Sequence, residues 1–278
     1  MPSVRKSEEK RLFDGLKKAF SSIIEGVKEG MGADEIRDKA REFIDSDKFM
    51  GFIRTLVKRT THNIRKSSAN TWRQAVAKGH NGRTLYRLIS NEMNGPLGSR
   101  VWEIIADNAA YISTVPQEWA DYIVRYAARE ALKGKRPEEV EAELRKVMPG
   151  HITKNLRCIA RTECAKANAA IEQARAEMCG IKCYFWRCVK DERSRDSHID
   201  MDGILIFYDD PPNPEALFPK KGVKPYGSYH AGNTFNCRCF QEPIVDESFL
   251  PDVFQYHRYG QIQSTTRAAF LNKFGHIA

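Results

Sequence analysis

The chain reads as an α+β protein: an all-α N-terminal part, then a long helix packed on a small, loop-rich, mostly antiparallel sheet. Three observations predict this. Apolar residues recur at three- and four-residue intervals as far as about residue 178. Short aromatic and β-branched runs then replace them, and long stretches rich in Pro, Gly and Asp separate those runs.

The helical part can be followed element by element. From Glu8 to about Gly30, the residues Leu12, Phe13, Leu16, Phe20, Ile23, Ile24 and Val27 fall on one face of a helix, which Gly30 and Gly32 stop. Ala33-Asp34-Glu35 opens a second helix, ending near Asp45, with carboxylates where the helix dipole favours them. Further helical patterns cover Phe49 to Arg65, Ala69 to Ala77, Thr84 to Glu92, Ser99 to Tyr111, Gln117 to Leu132 and Pro137 to Val147. Gly79, Gly82, Gly95-Pro96, Pro116, Gly134 and Pro149-Gly150 punctuate them. No repeat of fixed period is present, which argues against a solenoid.

Ile152 to Met178 then forms a longer helix that Gly180 stops. Ile181–Val189, Ile204–Tyr208 and Asn236–Val245 read as strands, and Thr265–Phe274 as a short closing helix. The expected organisation is a helical domain over 1–150, an α+β domain over 151–248 and a C-terminal extension over 249–278.

At 278 residues the chain is long enough for two ordinary cores, and 41% hydrophobic with 29% charged residues is ordinary for a globular protein. Such a composition excludes wholesale disorder. Neither a run of about 18 apolar residues nor the apolar segment of a signal peptide is present, so the expectation is a chain without a membrane segment, made in the cytoplasm. The seven cysteines are an odd number, five of them (Cys158, Cys164, Cys179, Cys183 and Cys188) scattered over a helix and a strand, and are expected to be reduced thiols.

The net charge is +9, and residues 1–150 hold 28 Lys and Arg against 21 Asp and Glu, so +7 of it lies in the first part. This favours an anionic partner, either non-specific double-stranded DNA or an acidic protein surface. The plainer reading, a solvated helix surface, stands beside it because no block of five like charges occurs. Lys220, Lys221 and Lys224 form a basic loop between Pro219 and Pro225. Without interleaved aromatics they could make only a non-specific, salt-sensitive nucleic-acid contact.

The densest chemistry lies between Arg161 and Cys239. Cys237 and Cys239 are two apart, so on a strand both thiols point to one face and can converge on one ion. His198 and His230 are the other candidates for a tetrahedral zinc set, and Cys183 or Cys188 could substitute; the odd separation of those two puts them on opposite strand faces. A lone C-x-C pair is a weak metal signal, and packed thiols without a cofactor are the preferred reading. Asp191, Arg193, Arg195, Asp196 and His198 can be read as an acid-base cluster with guanidinium clamps, or as a polar loop cross-linked by Arg–carboxylate pairs. Neither a glycine-rich phosphate cradle nor an activated-nucleophile pattern accompanies them, which favours the cross-linked loop and a non-enzymatic role. Arg161 and Glu163 diverge around their helix, so each is expected to anchor a different loop, Arg161 through an acid such as Asp191 and Glu163 or Asn168 through backbone amides. Trp186 is expected in the core of the sheet.

The order Arg161, Glu163, Asn168, Trp186, Asp191, Arg193, His198, Gly203 and Asn236-Cys237-Arg238-Cys239 resembles the phage Mu F-like head morphogenesis family, the minor head proteins of tailed bacteriophages. The resemblance covers the C-terminal part of the chain. Many relatives read His-Pro directly before N-C-R-C, where this chain has Asn233-Thr234-Phe235, which puts His230 in a displaced position. It implies a non-enzymatic virion component of the head, made in the bacterial host, meeting portal and capsid or scaffold proteins, acting at the portal vertex and taking part in DNA packaging or delivery. The helical part is then the portion that contacts those partners. Two alternatives remain open: a metal-dependent nuclease or hydrolase using His198, Cys237 and Cys239 with Asp191 as general base, and a non-specific DNA-binding protein.

Overall fold

The structure, a computed structural model, describes residues 6–21, 35, 38, 41–42, 46–79, 82–133 and 137–277. Its helices are α1 (Lys6–Ala19), α2 (Asp47–Val76), α3 (Gly82–Ser90), α4 (Pro96–Leu132) and α5 (Pro137–Met178), followed by the short α6 (Asp196–Asp200), α7 (Pro214–Leu217) and α8 (Arg267–Phe274). The strands are β1 (Cys183–Arg187), β2 (Leu205–Phe207), β3 (Phe240–Pro243), β4 (Val253–Arg258) and β5 (Gln261–Thr266). The chain is α+β, as expected. The helix expected over Ala33 to Asp45 lies mostly outside the described residues.

Several expected breaks are not made. The patterns on either side of Arg65 merge into α2, α4 runs through Pro116, and α5 runs through Pro149-Gly150. Each interior proline removes one i→i−4 hydrogen bond, and in helices of 37 and 42 residues the rest of the ladder carries the run. Pro96 opens α4, where its missing N–H is not needed.

Two compact units are formed, one of residues 6–60 and 103–161, the other of 61–102 and 162–277. Within the first, the apolar stripe of α1 is buried at Leu12, Leu16 and Phe20, and the Phe20 ring meets Phe49 at 5.6 Å and Trp119 at 5.1 Å. Arg157 lies over the Phe13 ring at 5.3 Å.

The second unit holds the sheet. Among the described residues its strands form one sheet of five in the order β3-β1-β2-β4-β5, antiparallel throughout except for the parallel pair β2–β4. The hairpin β4–β5 was not anticipated from the sequence; it comes from the alternation Val253-Phe254-Gln255-Tyr256, in which Phe254 and Tyr256 are buried and their neighbours exposed, turned at Tyr259-Gly260. β1 is an interior strand, paired on both sides and buried on both faces. Tyr184 and Trp186 face a core shared with Trp72 and Val76 of α2, Ile89 of α3 and Ala176 of α5. Cys183 and Phe185 face the opposite core with Leu205, Phe254 and Phe270 of α8.

Buried polar groups tie the helices of this unit together. Arg175 is fully buried, and its Nε donates to Glu92 at 2.8 Å while Arg65 reaches the same carboxylate at 2.6 Å. Glu172 accepts from Ser68 at 2.5 Å and from the Trp72 indole. The network balances two guanidinium groups against two carboxylates, and removing one member leaves the others buried without compensation. Glu92→Ala is therefore expected to cost about 3–5 kcal/mol of stability, read by urea denaturation of the whole chain; a loss within about 0.5 kcal/mol, the size of ordinary surface substitutions, would contradict this role.

Candidate functional site

The residues singled out from Trp186 to Cys239 fall into a loop-rich region built on β1, while Glu163 and Asn168 lie on α5. Alternation along β1 points Tyr184 and Trp186 to one face, and the same parity carries Cys188, just beyond the strand, to that face. Gly203 returns the chain to β1: its N–H donates to the Trp186 carbonyl at 2.9 Å, with φ +87, a conformation that disfavours any side chain. The short helix α6 brings His198 inward, 2% exposed, its ring edge-on to Trp186 at 5.5 Å. Cys237 and Cys239 lie just before β3 and not on the expected strand, and both thiols are buried and meet at His198 Nδ1.

The centre is a buried imidazole among thiols. His198 Nδ1 stands 3.5 Å from Cys237 Sγ and 3.4 Å from Cys239 Sγ, and these three ligand atoms lie within 4.8 Å of one another. His198 Nε2 meets the Tyr229 hydroxyl at 2.8 Å, and that hydroxyl donates to Glu215 Oε1 at 2.7 Å. Because Tyr229 spends its proton on Glu215, its oxygen is left to accept from Nε2–H, and Nδ1 turns its lone pair toward the sulfurs.

The thiols also meet one another. Cys188 is pushed down to about 6, first by its hydrogen bond with Cys239, and Cys237 is lowered for the same first reason. Cys239, which shares its proton with both, is pushed up. Together these side chains could hold a soft or borderline cation. His230 is not among them: its Nδ1 faces the Tyr184 hydroxyl at 3.2 Å, and burial depresses its pKa to about 4.

Polar anchors surround this centre. Both Asp191 oxygens are taken by the Arg238 guanidinium, and Asp191 Oδ1 also accepts from the Arg193 and Ser194 amide and hydroxyl donors of its own turn. Arg161, expected to meet Asp191, is not one of these anchors: it belongs to the other unit, where its Nε is 3.5 Å from Glu9. Arg195 donates to the Phe235 carbonyl at 2.8 Å and lies over the Tyr226 ring. The Asn236 backbone, at φ +54, donates to Thr162 Oγ1 at 2.9 Å. Glu163 is buried, with Lys166 Nζ at 3.5 Å, and burial raises its pKa against the opposing lysine; Asn168 is buried on the same helix. Trp186 is fully buried in the sheet core. Lys220, Lys221 and Lys224 are exposed.

Sequence reasoning missed Glu215 and Tyr229. Glu215 is 3% exposed and also faces the Ser197 hydroxyl at 3.3 Å. No spacing signal marks either residue: Glu215 sits on the four-residue α7 and Tyr229 in irregular chain.

Open space at the centre is small. A cavity of about 80 Å³ is lined by Arg193, Ser194, Arg195, His198, Asn236, Cys237, Arg238 and Cys239. That volume suits an ion or a few waters, whereas ligand pockets run to roughly 300–1,000 Å³.

Comparison with known proteins bears on this same stretch. Residues 122–242 match the family described as Phage Mu protein F like protein. That segment is similar to the Mu F-like proteins. An uncharacterized protein of Haemophilus influenzae is 30% identical over 172 residues, which is 62% of this chain and 35% of the relative. The chain thus spans about a third of the length of that curated relative. No solved structure matches the chain. Among the described residues, no helix is long and apolar enough to cross a membrane.

Tyr229→Phe would leave the His198 Nε2–H and the Glu215 carboxylate short of a buried partner, and is expected to cost about 1–3 kcal/mol in denaturation. Arg238→Gln, at a pair that is 22% and 38% exposed, is expected to cost no more than about 1 kcal/mol. Acid acts through His230 and through His257, whose pKa burial also lowers. Below the ordinary value of 6.5 the unfolded chain takes up a proton that folded His230 refuses until about 4. Stability present above pH 6.5 should therefore fall toward pH 4 by about 1.4 kcal/mol per pH unit through His230, with His257 acting in the same direction, and His230→Gln should remove the first contribution.

Proposed function

We propose that this chain is a minor head protein of a tailed phage or prophage, acting in head morphogenesis at the portal vertex through contacts with portal and capsid or scaffold proteins. The observation that carries this reading is the Mu F-like match over residues 122–242, which contains the whole motif series from Arg161 to Cys239. The helical part over 1–150 is the partner-contacting portion, and DNA packaging or delivery is the process it serves.

The geometry favours a bracing role over turnover. Asp191, the candidate general base, is held by Arg238, and the cavity beside His198, Cys237 and Cys239 is too small for a nucleotide or peptide. Trp186, Gly203 and Asn236 serve as core, turn and anchor residues, which is how a fold with long loops is fixed. A DNA contact through Lys220, Lys221 and Lys224 would be electrostatic and secondary.

Deleting the gene from its phage or prophage should lower infectious titre and change procapsid assembly, and supplying the chain in trans should restore both. Infectious particles built normally without it would overturn the reading. Purified chain should bind portal or procapsid with little dependence on added DNA; binding to DNA alone that falls steeply with salt, with none to head proteins, would favour the nucleic-acid alternative.

A further inference from the structure

We propose that Cys188, His198, Cys237 and Cys239 form a closed four-ligand site for a zinc ion, with Cys188 filling the place that the sequence offered to His230. The site goes beyond the role in the head and stands or falls independently of it. Its first support is distance. A tetrahedral ion with sulfur at about 2.3 Å and nitrogen at about 2.0–2.1 Å requires a nitrogen–sulfur edge of about 3.6 Å. His198 Nδ1 lies 3.5 and 3.4 Å from the two sulfurs of the C-x-C pair. Cys188 neighbours Cys239, but its sulfur stands outside the three ligand atoms that lie within 4.8 Å of one another, so this fourth ligand closes in only when the ion is bound.

The second support is the surroundings of each ligand. A zinc-bound imidazole donates its far N–H to an oxygen that fixes the ring. Here His198 Nε2 meets the Tyr229 hydroxyl at 2.8 Å, and behind it stands the buried Glu215 carboxylate. Two sulfurs also receive a backbone amide from two residues on, Lys190 N to Cys188 and Cys239 N to Cys237, each at 3.4 Å. Lys190 adopts φ +54 to make that turn, a strained choice for a residue with a side chain. Backbone amides aimed at sulfur stabilise the negative charge a metal-bound thiolate carries. Three thiolates and one divalent ion leave one net negative charge, and Arg193, Arg195 and Arg238 line the cavity beside it.

Four protein ligands leave no open position for water or substrate, so the ion is structural. It would fasten the turn after β1, α6 and the segment before β3 at one point, with most of its binding free energy appearing as stability.

The test uses the full-length chain purified under inert gas. Elemental analysis should find one zinc per chain, and cobalt replacing it should give thiolate-to-metal charge-transfer absorption with the bands of a tetrahedral ion. X-ray absorption at the zinc edge should count three sulfurs and one nitrogen. Loss of an outer partner of a metal ligand weakens binding about 10–100-fold, so Cys188→Ser, which removes a direct ligand, should weaken zinc binding by at least about 100-fold. His230→Gln should keep the full zinc content. A folded chain that binds no zinc on titration overturns the proposal, as does a Cys188–Cys239 disulfide in the freshly purified protein. A sulfur count of two, or Cys188→Ser binding zinc as tightly as the parent, overturns the assignment of Cys188 and requires no folded variant in the first case.

Discussion

Burying His198 is the constraint on which the loop-rich half of this structure depends. An imidazole at 2% exposure has two nitrogens to satisfy, and an unpartnered polar group there costs about 1–3 kcal/mol. One nitrogen is met through Tyr229 and Glu215, the other through Cys237 and Cys239. Those partners come from chain far apart in sequence, so satisfying a single ring fixes α6, α7, the Tyr229 segment and the approach to β3 together. Regular backbone pairing could not do this, because the chain from 208 to 239 holds only the four-residue α7.

Around that centre the strength of each anchor follows its exposure. Arg238 and Asp191 form a two-pronged pair, but at 22% and 38% exposure water screens it, so it orients the turn at 191–194 more than it stabilises the fold. Arg175 and Glu92, at 0% and 1%, are in the opposite position: their desolvation is already incurred, and each is held in place by the other. The sheet therefore rests on a polar framework among its helices on one face and on the aromatic cluster of Phe254, Phe270 and Phe274 on the other.

Much of this was legible in the sequence, and the omissions have physical causes. Periodicity found the helices because an apolar stripe is a local property, but it overcounted breaks, since a proline such as Pro149 costs one hydrogen bond and not a helix. The convergence of Cys237 and Cys239 followed from their spacing even though they lie outside the strand. The odd separation of Cys183 and Cys188 did place them on opposite faces, in two different cores. Parity with Trp186 would have gone further and chosen Cys188 over His230 as the neighbour of His198. Glu215 and Tyr229 could not be found, because a four-residue helix and irregular chain carry no period from which to read direction. The pairing of Asp191 with Arg238 instead of Arg161 likewise depends on tertiary closure.

The hairpin β4–β5 shows why the Mu F-like match and the folded unit have different limits. The match ends at Glu242, within β3, so it contains β1, β2 and most of β3. In the sheet order β3-β1-β2-β4-β5, those three strands would leave the far edge of β2 unpaired, with Leu205, Ile206 and Phe207 buried along it. An exposed apolar edge invites pairing with another chain. β4 covers it through the parallel register Leu205 to Tyr256 and Ile206 to His257, and β5 then offers an outer edge of Gln261, Gln263, Ser264 and Thr265. At the opposite edge, β3 is four residues long and ends in Pro243, which cannot donate a ladder hydrogen bond. The residues beyond the match thus convert an aggregation-prone edge into a polar one, and the unit able to hold its cores closed runs on to α8.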